Sequence, residues 1–242
     1  SAASVVYKRQ RLILAACLWL LVVSPVAAEA RLEVEQILTL KPNVETGKSR
    51  FAGCIHCHGS EGWGAYSGAY PQIAGQHASV IIKQLLDIHA GRRENPEMLA
   101  AARELADQGA QALADVAAYI ASLKMNPDPG VGEADDAALE GAAETYQQIC
   151  STCHGAEGEG NAGQLVPLLQ GQNYEYLLRQ LKRIQAGKRK NANTKMRELI
   201  RSMPEEQLEL LAAYIARLQP AESRLGPYNW INPDFQKSPA RR

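Results

Sequence analysis

Two short segments, CIHCH and CSTCH, constrain this chain more than any other feature of its sequence. The first runs from Cys54 to His58 and the second from Cys150 to His154. Each has two cysteines separated by two residues, then a histidine and a glycine. A chain of 242 residues that repeats such a motif is built from two similar units.

The similarity of the two units extends well beyond the cysteines at a constant spacing of 96 residues. It carries Pro71 to Pro167, and residues 75–93 align without gaps with residues 171–189. Near the end of each unit the same AAYI segment recurs. One ancestral unit has therefore been duplicated.

The duplication predicts a first domain over residues 31–124 and a second over residues 138–219. Residues 125–137 between them are rich in proline, glycine and acidic residues, which is typical of a linker. Residues 220–242 follow as a tail, and its aromatic residues indicate docking either on the protein itself or on a partner. These aromatic residues are Tyr228, Trp230 and Phe235.

Apolar residues recur at helical spacing in both units. Residues 80–88 and 177–184 place Val, Ile and Leu on one face of a helix. Residues 112–123 and 205–218 predict a closing helix for each unit, and no segment alternates as a half-buried strand would. We therefore predict an all-α fold.

The N-terminal residues predict export from the cytoplasm. Three basic residues precede an apolar run over residues 12–23, and small residues follow it. This is the layout of a signal peptide over residues 1–28, with cleavage after Ala28 or Ala30. The alternative is an uncleaved segment that anchors the protein to the inner membrane. Both interpretations place the remaining chain in the periplasm, soluble or anchored.

C-x-x-C-H is the attachment motif of c-type haem. Two thiols with this spacing reach both vinyl groups of one porphyrin, and the adjacent histidine faces the iron. About 90 residues separate the two cysteine pairs, which argues against a shared zinc site. We therefore predict two covalently bound haem c groups. The attaching and ligating residues are Cys54, Cys57, His58, Cys150, Cys153 and His154.

The iron of each haem needs a sixth ligand or keeps an open face, and methionine suits electron transfer. Met196 lies seven residues after Arg189, and Met98 lies five residues after Arg93. We predict Met98 and Met196 as ligands, with about one extra helical turn after Met98 in the first unit. Met203 precedes a predicted helix and is interpreted as core packing.

Each unit also carries P-x-x-x-G-Q, Q-L and A-G-[RK]-R, and with these motifs residues 44–218 resemble the dihaem cytochrome c4 family. The resemblance implies two tandem class I cytochrome c domains related by pseudo-twofold symmetry. It implies that Pro71 and Pro167 accept hydrogen bonds from the haem histidines, and that Arg93 and Arg189 lie near the haem propionates. The position of the first distal methionine and the tail depart from the family pattern.

With histidine and methionine on both irons, no position remains for substrate, so we predict a carrier of single electrons without catalytic residues. Its donor would be a quinol-oxidising complex or a dehydrogenase, and its acceptor a terminal oxidase or reductase. The balance of 26 basic and 26 acidic residues gives no basic field for nucleic acid. Two alternatives stay open. One is a fixed electron-transfer subunit of a larger dehydrogenase or oxidase complex, similar to the cytochrome subunit of flavocytochrome c sulfide dehydrogenase. The other is a haem enzyme, if Met98 leaves its iron open.

Overall fold

The computed structural model describes residues 25–235, so most of the predicted signal segment, residues 1–28, lies outside it. All regular structure in the described range is helical, apart from two isolated bridges between single residue pairs. The all-α prediction is confirmed. In this range we find no helix with the length and apolar character that a membrane span requires.

The helices are numbered in chain order from the start of the described range. They are α1 (Pro25–Leu38), α2 (Val44–Phe51), α3 (Ile55–His58), α4 (Ala78–His89), α5 (Pro96–Asp107), α6 (Ala110–Ser122), α7 (Asp136–Thr145), α8 (Ser151–His154), α9 (Tyr174–Gln185), α10 (Thr194–Arg201) and α11 (Glu205–Ala216). A π turn, Tyr146–Cys150, joins α7 to α8. Short 3₁₀ turns cover Ala162–Gln164, Glu222–Arg224 and Pro233–Phe235.

The first domain is built from α1 to α6. Helix α2 packs against α6, and α4 packs against both α5 and α6. Their shared core contains the fully buried side chains of Phe51, Ile82 and Val116. Helix α1 packs on α4 and α6, and its side chains Val34 and Ile37 are buried in the same core. The helix that precedes the repeat is therefore an integral part of the first domain.

The second domain repeats this plan with α7 to α11. Helix α9 packs against α10 and α11, and α11 packs against α7, around the buried Tyr146, Leu208 and Leu211. Helix α5 has 12 residues whereas its counterpart α10 has 8. The difference of four residues is about one turn. The extra turn that the sequence predicted after Met98 is therefore present.

Two side-chain amides join the domains in a reciprocal way. Gln172 accepts a hydrogen bond from the backbone N–H of Gln72 at 3.1 Å and donates to its carbonyl at 2.8 Å. Gln76 forms the same pair of bonds with Leu168, at 3.0 and 2.9 Å. In the repeat, Gln76 corresponds to Gln172 and Gln72 to Leu168. This is the exchange of contacts that pseudo-twofold symmetry requires.

The segment between the domains is packed at their interface. Met125 is fully buried, and a Cβ added to Gly75 or Gly171 would lie 2.5 Å from its Cγ or 3.1 Å from its Cε. The backbone N–H of Asn126 donates to the side chain of Gln72 at 2.8 Å. The linker predicted from composition thus connects the domains while helping to fix their arrangement.

The described part of the C-terminal tail docks on the first domain through Trp230 and Phe235, whereas Tyr228 stays 76% exposed. Met125 donates to the carbonyl of Arg224 at 2.9 Å, and Gly226 donates back to Met125 at 2.8 Å. Trp230 and Phe235 then pack against the core of the first domain. The tail, which leaves the second domain after α11, therefore becomes part of the first.

Candidate functional site

Each cysteine motif forms a single helical turn. Helices α3 and α8 begin directly after Cys54 and Cys150 and end at the histidine. Residues three and four positions apart share a helix face, so both thiols and the imidazole of one motif lie on the same side. Gly59 and Gly155 stop these helices with φ of 76° and 81°, which only glycine adopts without strain.

Both motif histidines are buried and held by a proline carbonyl. Nδ1 of His58 donates to the carbonyl of Pro71 at 3.0 Å, and Nδ1 of His154 donates to that of Pro167 at 3.1 Å. Burial lowers the pKa of both imidazoles, so they are neutral at pH 7. A neutral imidazole whose Nδ1–H is already bonded presents Nε2 as a metal ligand. The contacts implied by the family resemblance are thus present in both domains.

The first thiol of each motif is protected within its domain. Burial raises the pKa of Cys54 to about 11, and burial likewise raises that of Cys150 to about 11. Cys57 is half-buried and Cys153 is exposed. The protonated state of the two inner thiols at neutral pH argues against their use as thiolate nucleophiles.

The two predicted methionine ligands occupy the same place in the two domains. Met98 is the third residue of α5 and Met196 is the third residue of α10. Each is half-buried and packs against the core of its own domain. Met98 lies closer to Arg93 than Met196 lies to Arg189, because the loop before α5 is shorter than the loop before α10. Met203, by contrast, follows the end of α10 and packs against the second core.

A cluster of positive charge lies where the domains meet. Arg93 donates to Gln84 at 2.7 Å and to Gln180 at 3.4 Å, while Arg189 donates to Gln180 at 3.2 Å and to Gln84 at 3.5 Å. Nε of Arg189 is buried without a hydrogen-bond partner. Burial, with repulsion from Arg93, lowers the pKa of Arg189 to about 10. Among the described residues neither guanidinium forms a salt bridge, although the charge of Asp87 is close enough to act on Arg189.

Tyr176 completes this cluster, and the sequence did not indicate it. Its hydroxyl accepts a hydrogen bond from Arg93 at 3.0 Å. Burial alone would raise its pKa, but the positive fields of Arg93 and Arg189 outweigh burial and leave the pKa below its ordinary value. The corresponding residue of the first unit is Val80, so the repeat pattern gave no signal for this position.

The donor set of the two domains fits a pair of c-type haems. Each domain offers two thiols and a neutral imidazole on one helical turn, with a thioether on a separate helix. The unpaired guanidinium groups between the domains suit haem propionates, which carry the negative charge that the cluster lacks.

The comparisons with known proteins agree with this chemistry. The family model for cytochrome c matches residues 44–124 and again residues 139–219. The thiosulfate dehydrogenase electron acceptor of Stutzerimonas stutzeri is 34% identical, over 70% of this chain and 81% of that protein. Cytochrome c4 of Azotobacter vinelandii is 32% identical, over 71% of this chain and 87% of that protein. The crystal structure of reduced cytochrome c4 from Pseudomonas stutzeri matches with a TM-score of 0.63 and 31% identity, over 74% of this chain and all of that one.

This chain belongs to the dihaem cytochrome c4 family. As a member of the cytochrome c4 family it consists of two tandem cytochrome c domains and carries two covalently bound haem c groups. It is an electron-transfer protein, as the sequence predicted.

Proposed function

We propose that this cytochrome carries single electrons between redox partners in the periplasm and catalyses no reaction of its own. The matching positions of Met98 and Met196, each the third residue of corresponding helices, support the proposal best. With a histidine and a methionine in each domain, both irons are fully ligated. A fully ligated iron exchanges electrons but leaves no site for substrate.

Within this proposal, each residue of the site has one task. The cysteines form thioether bonds, the histidines and methionines hold the iron, and Pro71 and Pro167 fix the histidine rings. The attaching and ligating residues are Cys54, Cys57, His58 and Met98 in the first domain, and Cys150, Cys153, His154 and Met196 in the second. Each bound haem supplies an iron that alternates between the ferrous and ferric states.

Arg93 and Arg189 stabilise the propionates of the two haems in this proposal. Each guanidinium reaches the glutamines of both domains, so the cluster belongs to neither domain alone. Bringing two anionic groups to this place removes the repulsion between the arginines. Held by these arginines, the propionates of both haems would lie where the domains meet, which is where electrons would pass from one domain to the other.

The near-infrared charge-transfer band between methionine and ferric iron tests the proposed ligands. The oxidised protein should show the intensity of two haems, and Met98→Ala and Met196→Ala should each remove half of it. Met203→Ala is the matched control, because Met203 is also half-buried in the second domain, and it should leave the band unchanged. Half intensity in the unmodified protein would overturn the proposal and favour a haem enzyme with an open iron in the first domain.

We infer that the electron donor is a dehydrogenase, because one relative is described as the electron acceptor of thiosulfate dehydrogenase. A free tail would have favoured permanent assembly into such a complex, but Trp230 and Phe235 are already packed on the first domain. We therefore favour a transient acceptor, which purifies alone and is reduced by the dehydrogenase at a rate proportional to its concentration. A partner that stays bound through purification would instead support a fixed subunit.

The proposed periplasmic location depends on the N-terminal segment outside the described residues. The intact mass of the protein from the native host would report cleavage and haem content together. Cleavage after Ala28 or Ala30 with two haems would support a soluble periplasmic carrier. A mass that includes residues 1–28 would support an anchored one.

A further inference from the structure

The last described residues of the chain, 222–235, cross the interface and lie along the first domain. The segment begins with the paired backbone bonds between Met125, Arg224 and Gly226. The side chain of Arg224 donates to the carbonyl of Gly75, and Lys124 donates to the carbonyl of Ser223 at 2.6 Å. We call residues 222–235 the C-terminal strap.

Two aromatic residues fix the strap to the first domain. The ring of Trp230 lies 5.8 Å from that of Trp63, whose indole N–H donates to the carbonyl of Lys124 at 2.8 Å. The ring of Phe235 lies 5.8 Å from that of Phe51, at the edge of the core. Such pairs contribute beyond their buried area, so packing holds the strap in its second half and at its end.

Between these anchors, Asn232 is almost fully buried, with 1% of its surface exposed. Its side-chain N–H groups donate to the carbonyl of Ser60 at 2.6 Å and to the hydroxyl of Tyr119 at 3.0 Å. Its backbone N–H donates to the carboxylate of Glu61 at 3.2 Å. Ser60 and Glu61 belong to the loop that directly follows His58.

Asp234 strengthens this attachment through the same tyrosine. Its carboxylate accepts from the hydroxyl of Tyr119 at 2.9 Å and from Lys48 at 2.9 Å. Hydrogen bonding and the charge of Lys48 keep the pKa of Asp234 below its ordinary value. The strap therefore contacts both the loop after His58 and the closing helix of the first domain.

The second domain holds the corresponding loop with a residue of its own. Ala156 occupies in the repeat the position of Ser60, and its carbonyl accepts from the side chain of Gln147 at 3.0 Å. In the first domain the three residues that precede the motif, Phe51, Ala52 and Gly53, have no side-chain donor. Asn232 supplies the missing amide N–H from the far end of the chain.

We propose that Asn232 is a positioning residue for the loop 58–64, and that through this loop the C-terminal strap tunes the haem of the first domain alone. The loop is continuous with the ligand, because the backbone N–H of Gly64 donates to the carbonyl of His58 at 2.8 Å. Without Asn232 the part-buried carbonyl of Ser60 loses its donor, and the loop opens to recruit water. The effect on the haem rests on the proposed role of His58 as iron ligand.

Hydrogen exchange in the holoprotein tests the positioning of the loop directly. In Asn232→Ala, which loses three side-chain hydrogen bonds, amides of residues 58–64 should exchange about tenfold faster. Residues 154–160 should keep their exchange rates. Gln147→Ala should give the opposite pattern, and Tyr228→Ala, which truncates an exposed strap residue, should change neither loop.

The reduction potentials test the connection from the loop to the haem. Water admitted beside His58 favours the more positive ferric state, so Asn232→Ala should lower the potential of one haem and leave the other in place. The component that also shifts in Met98→Ala identifies the haem of the first domain. Where Asn232→Ala gives no holoprotein, Asn232→Leu keeps the approximate size of the side chain and removes its N–H donors without adding a charge.

Three outcomes would overturn the proposal. Unchanged exchange in residues 58–64 would show that Asn232 does not position the loop. Equal acceleration in both loops would make the strap a general stabiliser of the protein. An opened loop with two unshifted potentials would separate the strap from the haem, and the near-infrared test of the methionine ligands would still stand on its own.

Discussion

The two domains share one haem-binding plan but differ in how they close around it. Both place a histidine against a proline carbonyl at nearly the same distance, 3.0 and 3.1 Å, and both set a methionine at the third position of a helix. In the second domain the loop after the histidine is held by Gln147 of its own repeat and by the first domain, where Nε2 of His77 donates to the carbonyl of Glu159 at 2.8 Å. The first domain depends on α1 and on the C-terminal strap, both of which lie outside the repeat. Duplication has therefore conserved the ligands more strictly than the shell around them.

The largest expected difference between the domains arises from the ring of Phe51. This ring is fully buried, 5.3 Å from that of Tyr119, and in contact with the strap through Phe235. Phe51→Ala should lower the free energy of unfolding by about 3–5 kcal/mol, because it leaves a cavity in the core. Denaturant titration followed by hydrogen exchange should show the first domain opening before the second. If both domains unfolded at the same denaturant concentration, the proposed difference in how the two domains are stabilised would be contradicted.

A second test concerns Asp87, which the repeat aligns with Arg183. Asp87 is buried and accepts hydrogen bonds from Lys83, from Arg92 at 2.7 Å and from Asn191 of the second domain at 2.8 Å. Burial would raise the pKa of Asp87, but Lys83 and these hydrogen bonds outweigh it and keep the pKa below its ordinary value.

The contribution of Asp87 is therefore present above about pH 4, where the unfolded carboxyl is ionised, and is lost as the pH falls through the folded pKa. Asp87→Asn should lower the free energy of unfolding by about 1.5–3 kcal/mol at pH 7. It should also make the free energy of unfolding fall less steeply as the pH is lowered. Denaturant titrations between pH 2 and 7 would measure both effects. Asp107→Asn, at an exposed position, serves as control. If the free energy of unfolding of Asp87→Asn fell with pH as steeply as that of the unmodified protein, the prediction would be refuted.

The reciprocal glutamines allow the symmetry of the interface itself to be tested. Gln172→Ala should cost about 1–3 kcal/mol, because it leaves the backbone N–H and carbonyl of Gln72 buried without partners. Gln76→Ala should cost less, because its contacts with Leu168 are only half-buried. The two free energies of unfolding, measured side by side, check this order. A larger loss for Gln76→Ala would mean that the burial of these hydrogen bonds does not determine how much each contributes to the free energy of unfolding.

The smallest expected effect concerns a hydroxyl that only the second domain has. Tyr146 stacks 5.4 Å from Tyr214, much as Phe51 stacks on Tyr119, and its hydroxyl also donates to the carbonyl of Gly155 at 2.8 Å. Tyr146→Phe keeps the ring and should cost about 0.5–1.5 kcal/mol. Faster exchange confined to residues 154–160 would support this internal contact. No change there would show that Gln147 suffices to hold the loop.

The candidate ligands in each motif could be proposed from the sequence because the chemistry of haem attachment fixes their spacing. One helical turn brings Cys54, Cys57 and His58 to one side, so the motif can be recognised without a structure. Met98 was predicted as the methionine in the corresponding region of the first unit, and its register required about one extra helical turn, which α5 has relative to α10. The all-α fold followed from apolar spacing that recurred in both copies.

The shell around the ligands could not be predicted in the same way. Asn232 does not belong to any periodic apolar pattern and has no counterpart in the repeat. Its partner Ser60 lies 172 residues earlier in the chain. Tyr176 acts on an arginine of the other domain, so its role depends on the docking of the domains. The two glutamines were visible as a repeated G-Q pair, but nothing local showed that each one reaches across the interface.

The position of the C-terminal strap also bears on the order in which the protein is made. Asn232 is synthesised 172 residues after Ser60, which at 5–20 residues per second is a delay of roughly ten to thirty seconds. During that interval the ribosome produces the whole second domain, which needs no later residues to hold its own loop. The domain that leaves the ribosome first is thus completed only after the whole second domain has been made.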